Sequence, residues 1–136
     1  MRDLVPQIKS VVGDETGKIA VVKPQLTSLD QFEFHQVIEE TQGIVLVMFT
    51  APGCGACRRW RALLMDLQAK RPDLQVFEVD AARDLALARE FEVFHLPAVF
   101  VFADGTYHCA LQSEAHPGRI EEALRSALAA PAEEAP

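Results

Sequence analysis

The residue pattern predicts an α/β domain in which a mixed central β-sheet is flanked by helices on both faces. Apolar, strand-like runs alternate with stretches of helical periodicity in the order β-α-β-α-β-α-β-β-α, which calls for right-handed crossovers and a layered sheet. Asp104-Gly105 between the last two strand-like runs is a hairpin signal, so an antiparallel edge must close the sheet. The chain has 136 residues, 49% of them hydrophobic. That suffices for a single core and excludes a disordered chain.

Taken in order, residues 1–24 read as an N-terminal extension. Within it Val11-Val12 and Ile19–Val22 flank Gly13–Gly17 and suggest a hairpin or two short strands. Ser28-Leu29-Asp30-Gln31 has capping-box form, and Phe34, Val37, Ile38 and Thr41 follow on one helical face as far as Gly43. The unbroken run Ile44 to Phe49 reads as a buried central strand. Trp60, Leu63, Leu64 and Leu67 then mark an amphipathic helix that Arg71-Pro72-Asp73 ends.

Leu74–Val79 is a further strand, and Asp84–Phe91 a short helix with Leu85, Ala88 and Phe91 toward one side. Ala98–Phe102 is another buried strand, with Tyr107, Cys109 and Leu111 alternating on its hairpin partner. Pro117 opens a last helix with a stripe of Ile120, Ala123, Leu124, Ala127 and Leu128. Residues 25–129 thus form one domain, and 130–136 a flexible tail.

Between the central strand and its helix lies Cys54-Gly55-Ala56-Cys57. Free N–H groups and the positive dipole end of a helix stabilise a thiolate at Cys54, the reactive species of a reversible disulfide. Zinc is the rival use of such a pair, with Cys109, His108 and His95 as further ligands, but none of these stands at ligand spacing. Cys109 reads as an inert core thiol, Trp60 as core, and His95 as a loop residue near the site. Arg58, Arg59, Arg61, Lys70 and Arg71 cluster beside the pair, with Asp66 opposing them locally. They form either an ordinary solvated face or a positive field that favours thiolate.

The net charge of −7 argues against a nucleic-acid partner. No stretch approaches the about 18 apolar residues of a membrane span. The opening residues MRDLVPQIKSVVGDETGKIA lack an apolar signal core, so the cytoplasm is the expected compartment.

The stretches LTSLDQF, VLVMFTAPGCGACRRW and FEVFHLPAVFVFADGTY resemble the thioredoxins, and the likeness runs from about Gln25 to Leu128. It implies the thioredoxin fold and thiol–disulfide oxidoreductase activity. It also implies a cis Leu96–Pro97 bond, with Pro97 packed on the disulfide. Cys54 takes the role of attacking thiol and Cys57 that of resolving thiol, while Gly53, Gly55, Ala56, Leu96 and Pro97 receive the substrate. Protein or small-molecule disulfides would be the substrates, and an unidentified electron donor or acceptor, such as a reductase, the redox partner. No metal or organic cofactor is needed, since the pair carries both electrons.

The departures are specific. Gly53 stands where the family usually has tryptophan, Met48 where its best-known members bury an aspartate, and Val76 where they carry that acid's lysine neighbour. Ala62 and Ala56 each replace a common proline, and the former predicts a straighter helix. Gly53 and Met48 favour an alternative use of the fold, a redox-silent binding module or scaffold that works through the surface around Cys54 and Pro97.

Overall fold

A computed structural model of the protein describes residues 25–136 in full and, before them, the backbone of Val11–Gly13 and Ile19–Val21. Those two segments, β1 and β2, pair antiparallel, Val11 opposite Val21. The remaining readings within residues 1–24 lie outside the described residues.

The main sheet has five strands: β3 (Thr27–Ser28), β4 (Ile44–Thr50), β5 (Leu74–Asp80), β6 (Ala98–Ala103) and β7 (Thr106–Ala110). Their spatial order is β3-β5-β4-β6-β7. β4 runs parallel to β5 and antiparallel to β6, so the sheet is mixed. Every residue of β4 from Val45 to Thr50 is buried, as its uninterrupted apolar run requires. The helices are α1 (Phe34–Glu40), α2 (Gly55–Lys70), α3 (Leu85–Glu90) and α4 (Pro117–Ala129).

Strand alternation divides the core in two. Leu46, Met48, Val76, Val99 and Val101 pack with Trp60 and Leu64 of α2 and with Ile120 and Leu124 of α4. Val45, Val47, Phe49, Val79 and Phe100 pack with Phe34 and Ile38 of α1 and with Leu87 and Ala88 of α3. Helices therefore cover both faces, and α2 is continuous through Ala62.

Three local readings are corrected. The capping box is built by Asp30 and Glu33: Asp30 Oδ1 accepts from the N–H groups of Phe32 and Glu33, and Glu33 Oε2 accepts from Asp30 N at 3.1 Å. Ser28 is taken up by β3, where it lies opposite Glu78, and Gln31 buries an Oε1 with no partner among the described residues. On α3, Leu85 is exposed, and the buried side is Leu87, Ala88 and, just past the helix, Phe91. On β7 the strict alternation fails at a bulge: Val101 opposes Cys109 but Phe102 opposes Tyr107. His108 is the extra residue, so Tyr107 joins the aromatic core on the α1–α3 face while Cys109 and Leu111 stay on the other.

The hairpin turn itself needs its glycine. Asp104 and Gly105 both have positive φ, 51° and 84°, as a tight turn between twisted strands requires. A Cβ on Gly105 would also lie 2.7 Å from the Glu39 carbonyl oxygen. Asp104 ties the turn to the start of β4, accepting from Gly43 N at 2.8 Å. In the tail, Glu133 N donates to the His108 oxygen at 2.7 Å.

Candidate active site

The central strand delivers the cysteines to one end of the sheet. After Thr50 the chain turns through Ala51-Pro52-Gly53, closed by a bond from Cys54 N to the Ala51 oxygen. Gly53 has φ of +82°, a conformation an aromatic side chain rarely adopts, which accounts for glycine at this position. Cys54 is the N-cap of α2, and its sulfur accepts the Cys57 N–H at 3.1 Å. The first cysteine thus takes the place that a serine or aspartate fills at most helix starts. A negative sulfur there would gain from both the N–H group and the helix dipole.

Cys54 and Cys57 form a disulfide, with Cα atoms 5.2 Å apart. The two are unequal in access: Cys57 is 1% exposed, whereas Cys54 is only partly buried. Gly53, Gly55 and Ala56 are exposed around the pair. The register sets Phe49 against Ala98, so Leu96 and Pro97 lie just beyond the strands at the same end as the cysteine turn. The Leu96–Pro97 peptide bond is cis. Leu96 is exposed and Pro97 half-buried, while His95 is exposed in the same loop.

The other candidates separate from the pair. Cys109 is a free thiol inside the core, and burial, reinforced by the charge of Glu133, pushes its pKa up. His108 turns its Nε2 toward the Ala127 oxygen at 2.7 Å. Among the described residues no three His, Cys, Asp or Glu side chains are grouped to hold a metal ion. Trp60 is core, as read. Met48 and Val76 are fully buried, so their apolar nature suits their surroundings.

The basic cluster is largely neutralised, and by more than Asp66. Lys70 pairs with Asp66 at 3.1 Å, Arg71 with Asp73 at 2.8 Å, and Arg61 with Glu78 at 2.6 Å. Arg59 donates instead to the Ala115 oxygen. Glu78 escaped the sequence reading, although a charged residue inside the largely apolar run Leu74–Val79 was its signal. The Glu78 carboxylate receives Arg61 Nε and Nη2 at 2.9 and 2.6 Å and the Thr50 hydroxyl at 2.6 Å. Burial pushes its pKa up, but the bonds from Arg61 and Thr50 outweigh that and hold it below the usual carboxylate range. The trio lines an open cleft of about 510 Å³ with Pro52, Asp80 and Arg83.

The thioredoxin family model matches residues 25–129. The chain is 37% identical over 84 residues to thioredoxin domain-containing protein 2 of Rattus norvegicus, a match spanning 61% of this chain and 14% of that protein. It is 32% identical over 111 residues to the Mus musculus protein of the same name, across 81% of this chain and 20% of that one. The chain thus spans a fifth or less of the length of these two relatives. In structure it is similar to mitochondrial thioredoxin 3 of Saccharomyces cerevisiae, with a TM-score of 0.65 and 24% identity over 74% of this chain and 94% of that chain.

Proposed function

The chain belongs to the thioredoxin family, and from that premise we propose that it is a thiol–disulfide oxidoreductase whose catalytic domain is residues 25–129. The observation that carries this reading is the Cys54–Cys57 disulfide at the start of α2, with the Cys54 sulfur in the N-cap position. In the reduced protein the Cys54 thiolate attacks one sulfur of a substrate disulfide. A mixed disulfide forms and the first substrate thiolate leaves. Cys57, once deprotonated, attacks the Cys54 sulfur, re-forms the Cys54–Cys57 bond and releases the second substrate thiolate. Two electrons pass from the protein to the substrate, and no metal or organic cofactor takes part.

Gly53, Gly55, Ala56, Leu96 and Pro97 are the surface we assign to the substrate, a protein carrying a disulfide. A dithiol reductase returns the pair to the reduced form, and the cytoplasm, which keeps thiols reduced, is the compartment that fits this cycle. Nucleic acid and membrane have no place in it. Among the described residues no helix is long and apolar enough to cross a membrane.

Insulin-disulfide reduction by the wild type and by Cys54→Ser is the test. Turnover by the wild type that Cys54→Ser abolishes is the expected result. Equal rates for the two proteins would overturn the enzyme and leave the binding-module reading.

A further inference from the structure

We propose that Arg61 and Glu78 are positioning residues, a charge-balanced pair that sets the thiolate stability and hence the redox poise of the Cys54–Cys57 dithiol. The inference rests on the redox reading above and deepens it.

Arg61 stands one helical turn beyond Cys57 on α2, a spacing that brings side chains to about 5–6 Å at Cβ. Its guanidinium is not a free charge, because both Nε and Nη2 donate to the Glu78 carboxylate. The same carboxylate takes the hydroxyl of Thr50, the last residue of β4 before the cysteine turn. Glu78 therefore joins both arms of the site, the strand end that leads to Cys54 and the helix that carries Cys57. It also lies opposite the buried Met48 in the strand register, on the sheet face that α2 covers. The two side chains are 31% and 17% exposed, so solvent screens the pair only in part.

The other charges near the pair are Asp80, Arg83, Arg58 and Arg59. Asp80 and Arg83 line the same cleft, with Arg83 held by the buried Asp84 at 2.6 Å. On α2, Arg58 and Arg59 are exposed, and Arg59 is turned to the Ala115 oxygen. The compensated charge closest to Cys57 along its own helix is thus Arg61.

Removing either partner uncovers the other, and the two removals act in opposite directions. Glu78→Gln keeps the side-chain shape and an acceptor for Thr50 but leaves the Arg61 cation uncompensated. A cation beside the dithiol stabilises thiolate, favours the reduced form and makes the pair more oxidising. Arg61→Gln leaves an uncompensated carboxylate, which disfavours thiolate and makes the pair more reducing. The equilibrium read is that of the protein disulfide plus two glutathione thiols with the protein dithiol plus glutathione disulfide.

The experiment is a glutathione redox titration at neutral pH, with the pH profile of thiol alkylation, on the wild type, both single variants and the double variant. Glu78→Gln should shift the equilibrium constant toward dithiol by about tenfold, about 30 mV, and lower the alkylation pKa. Arg61→Gln should shift both the opposite way. Arg61→Lys and the double Glu78→Gln/Arg61→Gln variant should each return to near wild type. Single-variant shifts of the same sign, or none, would overturn the proposal, since loosened packing has no reason to change sign with charge. Insulin reduction no faster by the wild type than by Cys54→Ser would instead defeat the oxidoreductase reading itself.

Discussion

The two faces of the sheet are built from different materials. Beneath α1 and α3 lies an aromatic cluster centred on Phe91, whose ring sits 5.5 Å from Phe34, 5.4 Å from Phe100 and 6.0 Å from Phe102, with Phe49 and Tyr107 completing it. Beneath α2 and α4 the core is mainly aliphatic, with Trp60, Cys57 and Cys109 in it, and it admits Thr50 and Glu78 where β4 and β5 approach the cysteine turn. The first face shows what a sheet needs simply to hold together, large interlocked rings. The second gives up some of that apolar material at one end and gains hydrogen bonds that reach both cysteine-bearing elements. Stability and redox chemistry should therefore be separable by mutation.

The largest effect should come from breaking the aromatic face. Phe91 is 5% exposed, and Phe91→Ala would leave a cavity among rings that cannot close over it. We expect a loss of about 3–5 kcal/mol, seen as a fall in Tm of roughly 10–20 °C. The glutathione equilibrium of whatever remains folded should not move. A shift in that equilibrium as large as that of Glu78→Gln would erase the division between the faces.

An intermediate effect belongs to Glu78 as a stability element. Its folded pKa is depressed, so the ionised pair adds stability above the unfolded value, near pH 4.3, and loses it as pH falls through the lower folded value. Glu78→Gln should cost about 1–3 kcal/mol at neutral pH. That gap should narrow on acidification and vanish once the wild-type carboxyl is protonated. Urea unfolding at a series of pH values measures it, and a gap that stays constant to low pH would show that the depressed carboxylate adds nothing to stability.

How much of this was legible in the sequence follows from the range of each interaction. The dithiol, its strand and its helix are contiguous, and the period changes from apolar run to helical stripe at Cys54 itself. The Leu96-Pro97 loop was legible through the family resemblance, supported by the buried strand that follows it directly. The Arg61–Glu78 pair was not, because its partners meet only when α2 lies across β5, and periodicity does not report that crossing. Tyr107 was assigned to the wrong face because a bulge adds one residue to β7, and a single inserted residue reverses every side chain beyond it. The capping box shifted by two positions because Ser28 and Asp30 offer equivalent side-chain oxygens, and the pairing of β3 with β5 claims the first.

The smallest effect should fall on Cys109, which sharpens the comparison because it shares its face with Cys57. Both thiols are buried on the same side of the sheet, but Cys109 lies within β7 opposite Val101 and not at a helix start. Its pKa is pushed up, so little thiolate forms near neutral pH, and its side chain is 6% exposed. Iodoacetamide should therefore label reduced Cys54 first and Cys109 only when the protein opens, a difference of at least about a hundredfold in rate. Cys109→Ala removes a single sulfur from the core and should cost about 1 kcal/mol, with insulin reduction unchanged. Mass mapping of a partially alkylated sample decides the order. If Cys109 reacts as fast as Cys54, burial on this face does not silence a thiol, and the special standing of the helix start would have to be abandoned.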